Sequence, residues 1–321
     1  MRARILEVAR KLGYTPHASA RSLALNRTEN IGFLIHKRQS LSPHSFYGEI
    51  MAGAEAAAAE AGYHLLFATT ESASPPEMLN TRKIDGLILA GCDFDVRFVR
   101  RLQRMGVPLV LVDNHLELLE VDSVVIDNRG GTYAAAAHLI SLGHRDLAFV
   151  AETFTNLSFA ERLEGFRRAL EAHGIAVREE WLVTGEPEGD EPVGTTYYGW
   201  KAMRKILAMD EIPTAVVAAN DSAAVGAMRA IKEAGLRVPD DIAIVGFDDA
   251  PWAAHLDPPL TTVHVNRHEM GRVAAMRLLE LLEGRGGPPM EIKLAATLVV
   301  RGSCGRGRRG GDTEQESFTH H

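Results

Sequence analysis

The sequence predicts an α/β protein built as two doubly wound parallel-sheet lobes. Short apolar runs alternate with amphipathic stretches from Asn30 onward, glycines close the amphipathic stretches, and there are more helix–strand units than one open sheet needs. The 321 residues suit about two domains, and a 46% hydrophobic and 24% charged composition argues for packed cores rather than disorder.

Taken in order, the first segment reads as two short helices. Ile5, Val8, Ala9 and Leu12 share one helical face, and Gly13 ends it. Thr15 as N-cap and Pro16 at the first helical position start a second helix that runs to about Asn26. Expected strands are Ile31–Ile35, His64–Ala68, Gly86–Leu89, Leu109–Val112, Ser123–Ile126, Leu147–Val150, Ala215–Ala218, Ile242–Val245 and Leu294–Val299. Expected helices are Tyr47–Ala61, Val96–Met105, Gly131–Leu142, Ala160–His173, Gly199–Met209, Ser222–Ala234 and Glu269–Glu283. Gly62, Gly106, Gly143, Gly174, Gly235 and Gly284 terminate six of these helices. The polar, glycine-rich tail from Gly305 has no apolar period, and disorder is expected there.

Charge is distributed unevenly. Within the first 38 residues eight basic residues face Glu7 and Glu29, so this arm carries +6 and the remainder −13 of the net −7. A basic arm on an acidic body suits either a polyanionic partner or a solvated helix face. Cys92 and Cys304 are too few for a disulfide framework or a cysteine-rich metal site, no run reaches the ~18 apolar residues of a membrane helix, and no signal peptide is visible. A cytoplasmic protein is expected, without metal, cofactor or membrane partner.

Three apolar runs end on polar pairs: Asp113 and Asn114 after Leu109–Val112, Asn220 and Asp221 after Ala215–Ala219, and Asp248 and Asp249 after Ile242–Phe247. Ligands of doubly wound sheets sit beyond the carboxyl ends of the strands. Carboxylates and carboxamides there can each bond adjacent hydroxyls of a sugar-like molecule, or they can cap the following helices, as Asp221 is expected to do. Phe46 and Tyr47 open the helix after the first strand, either as stacking aromatics or as core. Arg162 offers a forked donor, or a surface salt-bridge partner.

Enzyme signatures are missing: there is no G-x-G-x-x-G after a strand, no P-loop, no H-E-x-x-H and no G-x-S-x-G. Tyr197 and Lys201 match a Tyr-x-x-x-Lys spacing without the glycine-rich loop that a dehydrogenase needs. The chain reads as a non-enzyme.

The segment Leu12–Leu23 (LGYTPHASARSL), Ile31–Ile35 (IGFLI), Ile84–Leu89 (IDGLIL), Val107–Asp113 (VPLVLVD) and Asp122–Asn128 (DSVVIDN) resembles the lactose-repressor/galactose-repressor (LacI/GalR) family of regulators. The likeness continues through His138–His144 (HLISLGH), Arg162–Phe166 (RLEGF), Ala218–Asp221 (AAND), Val238–Asp241 (VPDD), Val245–Asp249 (VGFDD), Pro259–Val263 (PLTTV) and Val299–Gly302 (VVRG). It implies a periplasmic-binding-protein-like type I core of two lobes with a small effector in the cleft. It implies domains at 1–28 (a residual headpiece helix and hinge helix), 29–128 plus about 265–290, 129–264 plus about 291–303, and a tail at 304–321.

By the same resemblance Phe46 and Tyr47 match the aromatic pair against the ligand, and Arg162, Asn220 and Asp248 match the polar effector contacts. Asp113 joins them by its strand-end position, and Trp252 is an outside candidate for stacking. Pro187 stands where an aromatic is frequent. Asn156 and Ser158 replace an arginine and a threonine of purine-binding members, which favours a sugar. Within the hinge helix Leu23 would wedge into the minor groove, with Ser19, Arg21 and Ser22 beside it.

The segment that matches begins after the family's helix-turn-helix, so weak, sequence-indifferent operator binding is expected of this chain. The expected function is a repressor-type transcriptional regulator acting as a homodimer, in which effector binding reorients the lobes and with them the hinge helices. The alternatives are a solute (sugar)-binding protein without DNA function and, less favoured, a dinucleotide oxidoreductase.

Overall fold

A computed structural model describes residues 11, 27–37, 39, 45–71, 77–81, 83–116, 118–185 and 195–305. Ser19, Arg21, Ser22 and Leu23, all but Lys11 of the two short N-terminal helices, Pro187 and the tail beyond Gly305 lie outside the described residues. The chain divides into two compact units. The first takes the chain up to Ile126 together with Asn266–Leu294; the second takes Asp127–Val265 and the chain from Ala295.

In chain order the first unit holds β1 (Asn30–His36), α1 (Phe46–Glu60), β2 (His64–Thr70), the short α2 (Glu77–Asn80), β3 (Gly86–Ala90), α3 (Val96–Arg104), β4 (Leu109–Val112) and β5 (Asp122–Ile126). The second unit follows with α4 (Asn128–Ser141), β6 (Leu147–Ala151), α5 (Leu157–Ala172), β7 (Leu182–Thr184), α6 (Thr195–Leu207), β8 (Ala215–Ala218), α7 (Asp221–Glu233), β9 (Ala243–Asp248) and β10 (Thr261–His264). The chain returns to the first unit for α8 (Arg267–Leu282) and β11 (Glu291–Leu294), then to the second for β12 (Thr297–Val299).

The first sheet runs β11-β5-β4-β3-β1-β2 and the second β12-β10-β9-β8-β6-β7. Every pairing is parallel except the antiparallel β10–β12 edge. Their central strands are buried along their whole length, as in β3 (Gly86–Ala90) and β6 (Leu147–Ala151). Helices on both faces of a parallel sheet require such unbroken apolar runs rather than alternation.

Two expectations need correction. Leu294–Val299 is not one strand: it divides into β11 in the first sheet and β12 in the second. The segment at 291–294 therefore belongs with the first unit rather than with 129–264. A buried ion pair explains this placement. Arg277 Nε donates to Asp122 Oδ1 at 2.7 Å with both side chains 5% exposed, Arg277 Nη2 donates to the Pro288 carbonyl, and the Met290 amide donates to the same Asp122 oxygen. The start of β11 is thus tied to the start of β5, a tertiary constraint that no local pattern carries.

Strands β7 and β10 are not among the expected strands: the first is only three residues long, and the second, TTVH, is β-branched but lies next to Pro258 and Pro259. Three helices start one to three residues earlier than the apolar period suggests, because Asp127, Asn156 and Asn220 begin them as N-caps ahead of that period.

α1 and α8 approach closely through reciprocal glycines. A Cβ on Gly53 would collide with the His268 carbonyl, and one on Gly271 with the Ile50 carbonyl. Backbone on both sides of the approach cannot yield as a side-chain tip would. Gly271→Ala should therefore lower stability by about 1–3 kcal/mol or more, read as a fall in the thermal unfolding midpoint.

Candidate functional site

The first unit gathers its polar groups where β4 ends. Asp113 follows Val112 directly with φ +57°, a left-handed conformation in which a non-glycine residue is uncommon. Its Oδ2 accepts from the Tyr47 hydroxyl at 2.9 Å, and both residues are buried. Burial, and then the neighbouring Asp113 carboxylate, push the Tyr47 phenol well above its ordinary range, so it stays a donor.

Tyr47 is thus a core residue that fixes Asp113. Phe46 is half-buried and stands edge-on to the Tyr47 ring, 5.2 Å between centroids. Asn114 donates from Nδ2 to the Gly91 and Phe94 carbonyls, and Gln39 donates to Asp93, which holds the β3–α3 loop beside this carboxylate. Gly91 has φ +116°, and a Cβ there would lie 3.3 Å from the Tyr47 oxygen, so this turn needs glycine.

The second unit centres on Arg162. Asn156 caps α5 by accepting from the Phe159 amide, and this start sets Arg162 on the second turn, 3% exposed. Its Nε donates to Asn128 Oδ1 at 2.9 Å and its Nη1 to the Ala219 carbonyl at 2.5 Å. The Asp248 carboxylate lies 3.4 Å from the same Nη1. The guanidinium stacks 3.7 Å above the Phe247 ring. Asn128 in turn donates to Glu161, which also pairs with Arg129. The fork therefore links the ends of β8 and β9 to the start of α4.

Asp248 and Asp249 have φ +115° and +53° in succession. Two such residues cost on the order of 1–3 kcal/mol each and persist only where their surroundings impose them. Asp221 supplies much of that constraint. Its Oδ2 accepts from the Ala250 amide at 2.7 Å and its Oδ1 from the Thr262 hydroxyl at 2.5 Å, and the Thr262 oxygen accepts from the Asp249 amide. Arg301 donates to Asp249 at 2.6 Å, and His264 lies 3.0 Å from its other oxygen. A side chain on Gly246 would strike the Asp221 carboxylate, so the glycine of VGFDD makes room for the acid.

Asp221 is 1% exposed, and among the described residues no cation lies within ion-pair distance of it. Burial first, and the Asp248 charge second, raise its carboxyl to about 7.

Of the expected site residues, the structure joins Arg162 with Asp248, and Tyr47 with Phe46 and Asp113. Asn220 is occupied as the N-cap of α7, accepting from the Ala223 amide at 2.8 Å. The capping role expected of Asp221 therefore falls to Asn220, and Asp221 is the buried acid. Trp252 is 39% exposed in the loop after β9, with no hydrogen bond or ring contact to the Arg162 cluster among the described residues. Sequence reasoning misses Asn128, Glu161, Phe247 and Thr262 as partners, although all but Glu161 stand in or beside strand-end motifs.

No helix among the described residues is long and apolar enough to cross a membrane, and none of their His, Cys, Asp and Glu side chains form a group of three that could hold a metal.

Residues 136–304 match the model of the periplasmic binding protein-like domain family. The chain is 31% identical over 304 residues to the HTH-type transcriptional repressor PurR of Vibrio campbellii, covering 93% of this chain and 88% of that protein. It is also 31% identical to the probable HTH-type transcriptional repressor ExuR of Bacillus subtilis, covering 94% and 89%. Among solved structures it is similar to the transcriptional regulator CelR–cellobiose complex, with TM-score 0.78, 32% identity and coverage of 94% and 90%. A LacI family transcriptional regulator from Enterococcus faecium with bound ribose matches with TM-score 0.74, 26% identity and coverage of 86% and 98%.

Proposed function

Since this chain belongs to the LacI/GalR family of transcriptional regulators, we propose that it is a repressor whose hold on DNA is set by a small sugar-like effector. The observation that carries the reading is the Arg162–Asp248 cluster, where a forked donor and a carboxylate stand together at strand ends on a strained, braced backbone. Such a pair offers a polyol the acceptors of Asp248 and the guanidinium donors of Arg162 that Asn128 and Ala219 do not take.

In this reading Arg162 and Asp248 bond hydroxyls of the effector, and Asp113 accepts from hydroxyls on its side. Phe46 and the more peripheral Trp252 offer faces for the apolar side of a sugar ring. Asn220, engaged as a cap, and Tyr47, engaged with Asp113, act by fixing their neighbours. Two relatives carry cellobiose and ribose in their solved structures, which favours carbohydrate for this chain. Ser19, Arg21, Ser22 and Leu23 form the DNA-contacting segment, with Leu23 entering the minor groove.

The working form is a cytoplasmic homodimer. Phe67 on edge strand β2 and Met276 on α8 are exposed apolar groups of the first unit that a second copy would cover. Sedimentation should then give twice the mass of the 321-residue chain.

A thermal-shift screen against mono- and disaccharides, sugar acids and nucleobases tests the ligand class. A ligand at 100 times its Kd stabilises by about 2.7 kcal/mol, a readily measured shift. Asp248→Asn, which keeps the shape but removes the charge and turns one acceptor oxygen into a donor, should abolish the shift. A response to nucleobases alone would overturn the carbohydrate reading.

A further inference from the structure

Helix α3 presents a positive face. Phe98, Val99 and Leu102 are buried against the first sheet, and Arg97, Arg100, Arg101 and Arg104 are exposed. The positions 97, 100/101 and 104 follow the i, i+3/i+4, i+7 spacing of one helix face. Among the described residues Arg97, Arg100 and Arg104 make no hydrogen bond, ion pair or ring contact.

Other arginines of this chain mostly differ, although exposed Arg168 is likewise without a hydrogen bond or ion pair among the described residues. Arg129, Arg167, Arg178, Arg229, Arg237 and Arg272 all pair with carboxylates. Of the nearby carboxylates, Asp95 caps α3 and Asp93 accepts from Gln39, while Glu120, whose carbonyl accepts from Gln103, forms no ion pair with these arginines. A net charge of −7 makes a bare cluster of cations a feature of this helix rather than of the average surface.

The cluster also has a direction. At the C-terminal end of α3 the chain turns through Gly106 into Pro108, whose carbonyl accepts from Leu87 at the start of β3. The amides of Thr28 and Glu29, just before β1, are held by Asp85, just before β3. Arg104 and the chain's entry into the first unit therefore share the amino-end edge of one sheet, with Arg100 a turn further away and Arg97 two.

We propose that the arginine face of α3 is a second DNA-contacting surface, binding backbone phosphates of duplex flanking the site engaged by the N-terminal segment. This rests on the reading of that segment as DNA-binding. Guanidinium groups suit phosphate oxygens as bidentate donors. Seven residues at 1.5 Å give an axial run of about 10 Å, roughly the reach of three phosphates of one strand. No base edge is read, so the surface adds affinity and salt sensitivity without sequence preference.

The test titrates the full chain with a 40-base-pair duplex across a series of salt concentrations. The Arg97→Gln/Arg100→Gln/Arg104→Gln variant should lower the slope of log K against log salt by about 2.7, near 0.9 for each of the three phosphates that are no longer neutralised. The matching Lys variant should keep the slope, and Arg104→Gln alone should cost more affinity than Arg97→Gln alone. An unchanged slope in the Gln variant overturns the proposal and leaves the face to an acidic protein partner. Should the triple variant fail to fold, Arg104→Glu is read in its place by the same criterion. A wild-type chain that binds no duplex even at low salt overturns both readings. That failure is visible without any variant, whereas failure of this proposal alone appears only in the comparison.

Discussion

Replacing Arg162 by Met should cost about 3–5 kcal/mol of stability, the range for removing one partner of a buried charge pair, and should abolish any effector-induced thermal shift. The methionine keeps the apolar packing on the Phe247 ring, so the loss reports the charge and its hydrogen bonds. Asn128 Oδ1 and the Ala219 carbonyl each lose a donor in a dry site, and Asp248 loses its guanidinium. Adding Asp248→Asn to the variant should recover part of the stability, because the stranded charge is then gone, and none of the ligand response. Recovery of ligand response in the double variant would show that this cluster does not hold the effector.

The second large effect concerns Asp221. Its carboxyl titrates near 7 in the folded protein against an ordinary value of 3.8. The folded state therefore holds a proton that the unfolded state releases, and stability falls as pH rises from about 4 through about 7. A shift of this size corresponds to a decline of about 4 kcal/mol across that window.

Groups facing Asp221 set the direction. The Asp248 and Asp249 carboxylates disfavour its ionisation, while Arg162, Arg301 and His264 bond to those two acids rather than to Asp221. Asp221→Asn mimics the protonated form: its amide oxygen can accept from Ala250 and its amide nitrogen can donate to Thr262. The variant should unfold at nearly the same temperature at pH 6 and pH 8.5, and the wild type at a distinctly lower temperature at pH 8.5. Parallel pH profiles for the two proteins would remove Asp221 as the source.

These two effects show what kinds of information a chain carries locally. The alternation of apolar runs and amphipathic stretches, the glycines at helix ends and the polar residues after Val112, Ala219 and Phe247 follow from periodicities of two and 3.6 and from capping chemistry. Each needs only neighbours within a few residues. Two parallel sheets with polar rims at their strand ends are therefore legible in the sequence. So are Arg162 and Asp248 as candidates, which the structure brings into one ion pair.

Partnership is not legible. That Asn220 caps and Asp221 is buried, that Tyr47 holds Asp113, and that Glu291–Leu294 completes the first sheet depend on bonds such as Thr262 with Asp221 or Arg277 with Asp122, separated by 41 and 155 residues. Adjacent polar residues such as Asn220–Asp221 and Asp248–Asp249 look equivalent along the chain. Packing separates them, because removing water raises the energy of a charge wherever no cation or donor replaces it, and only the folded arrangement fixes which carboxylates have one.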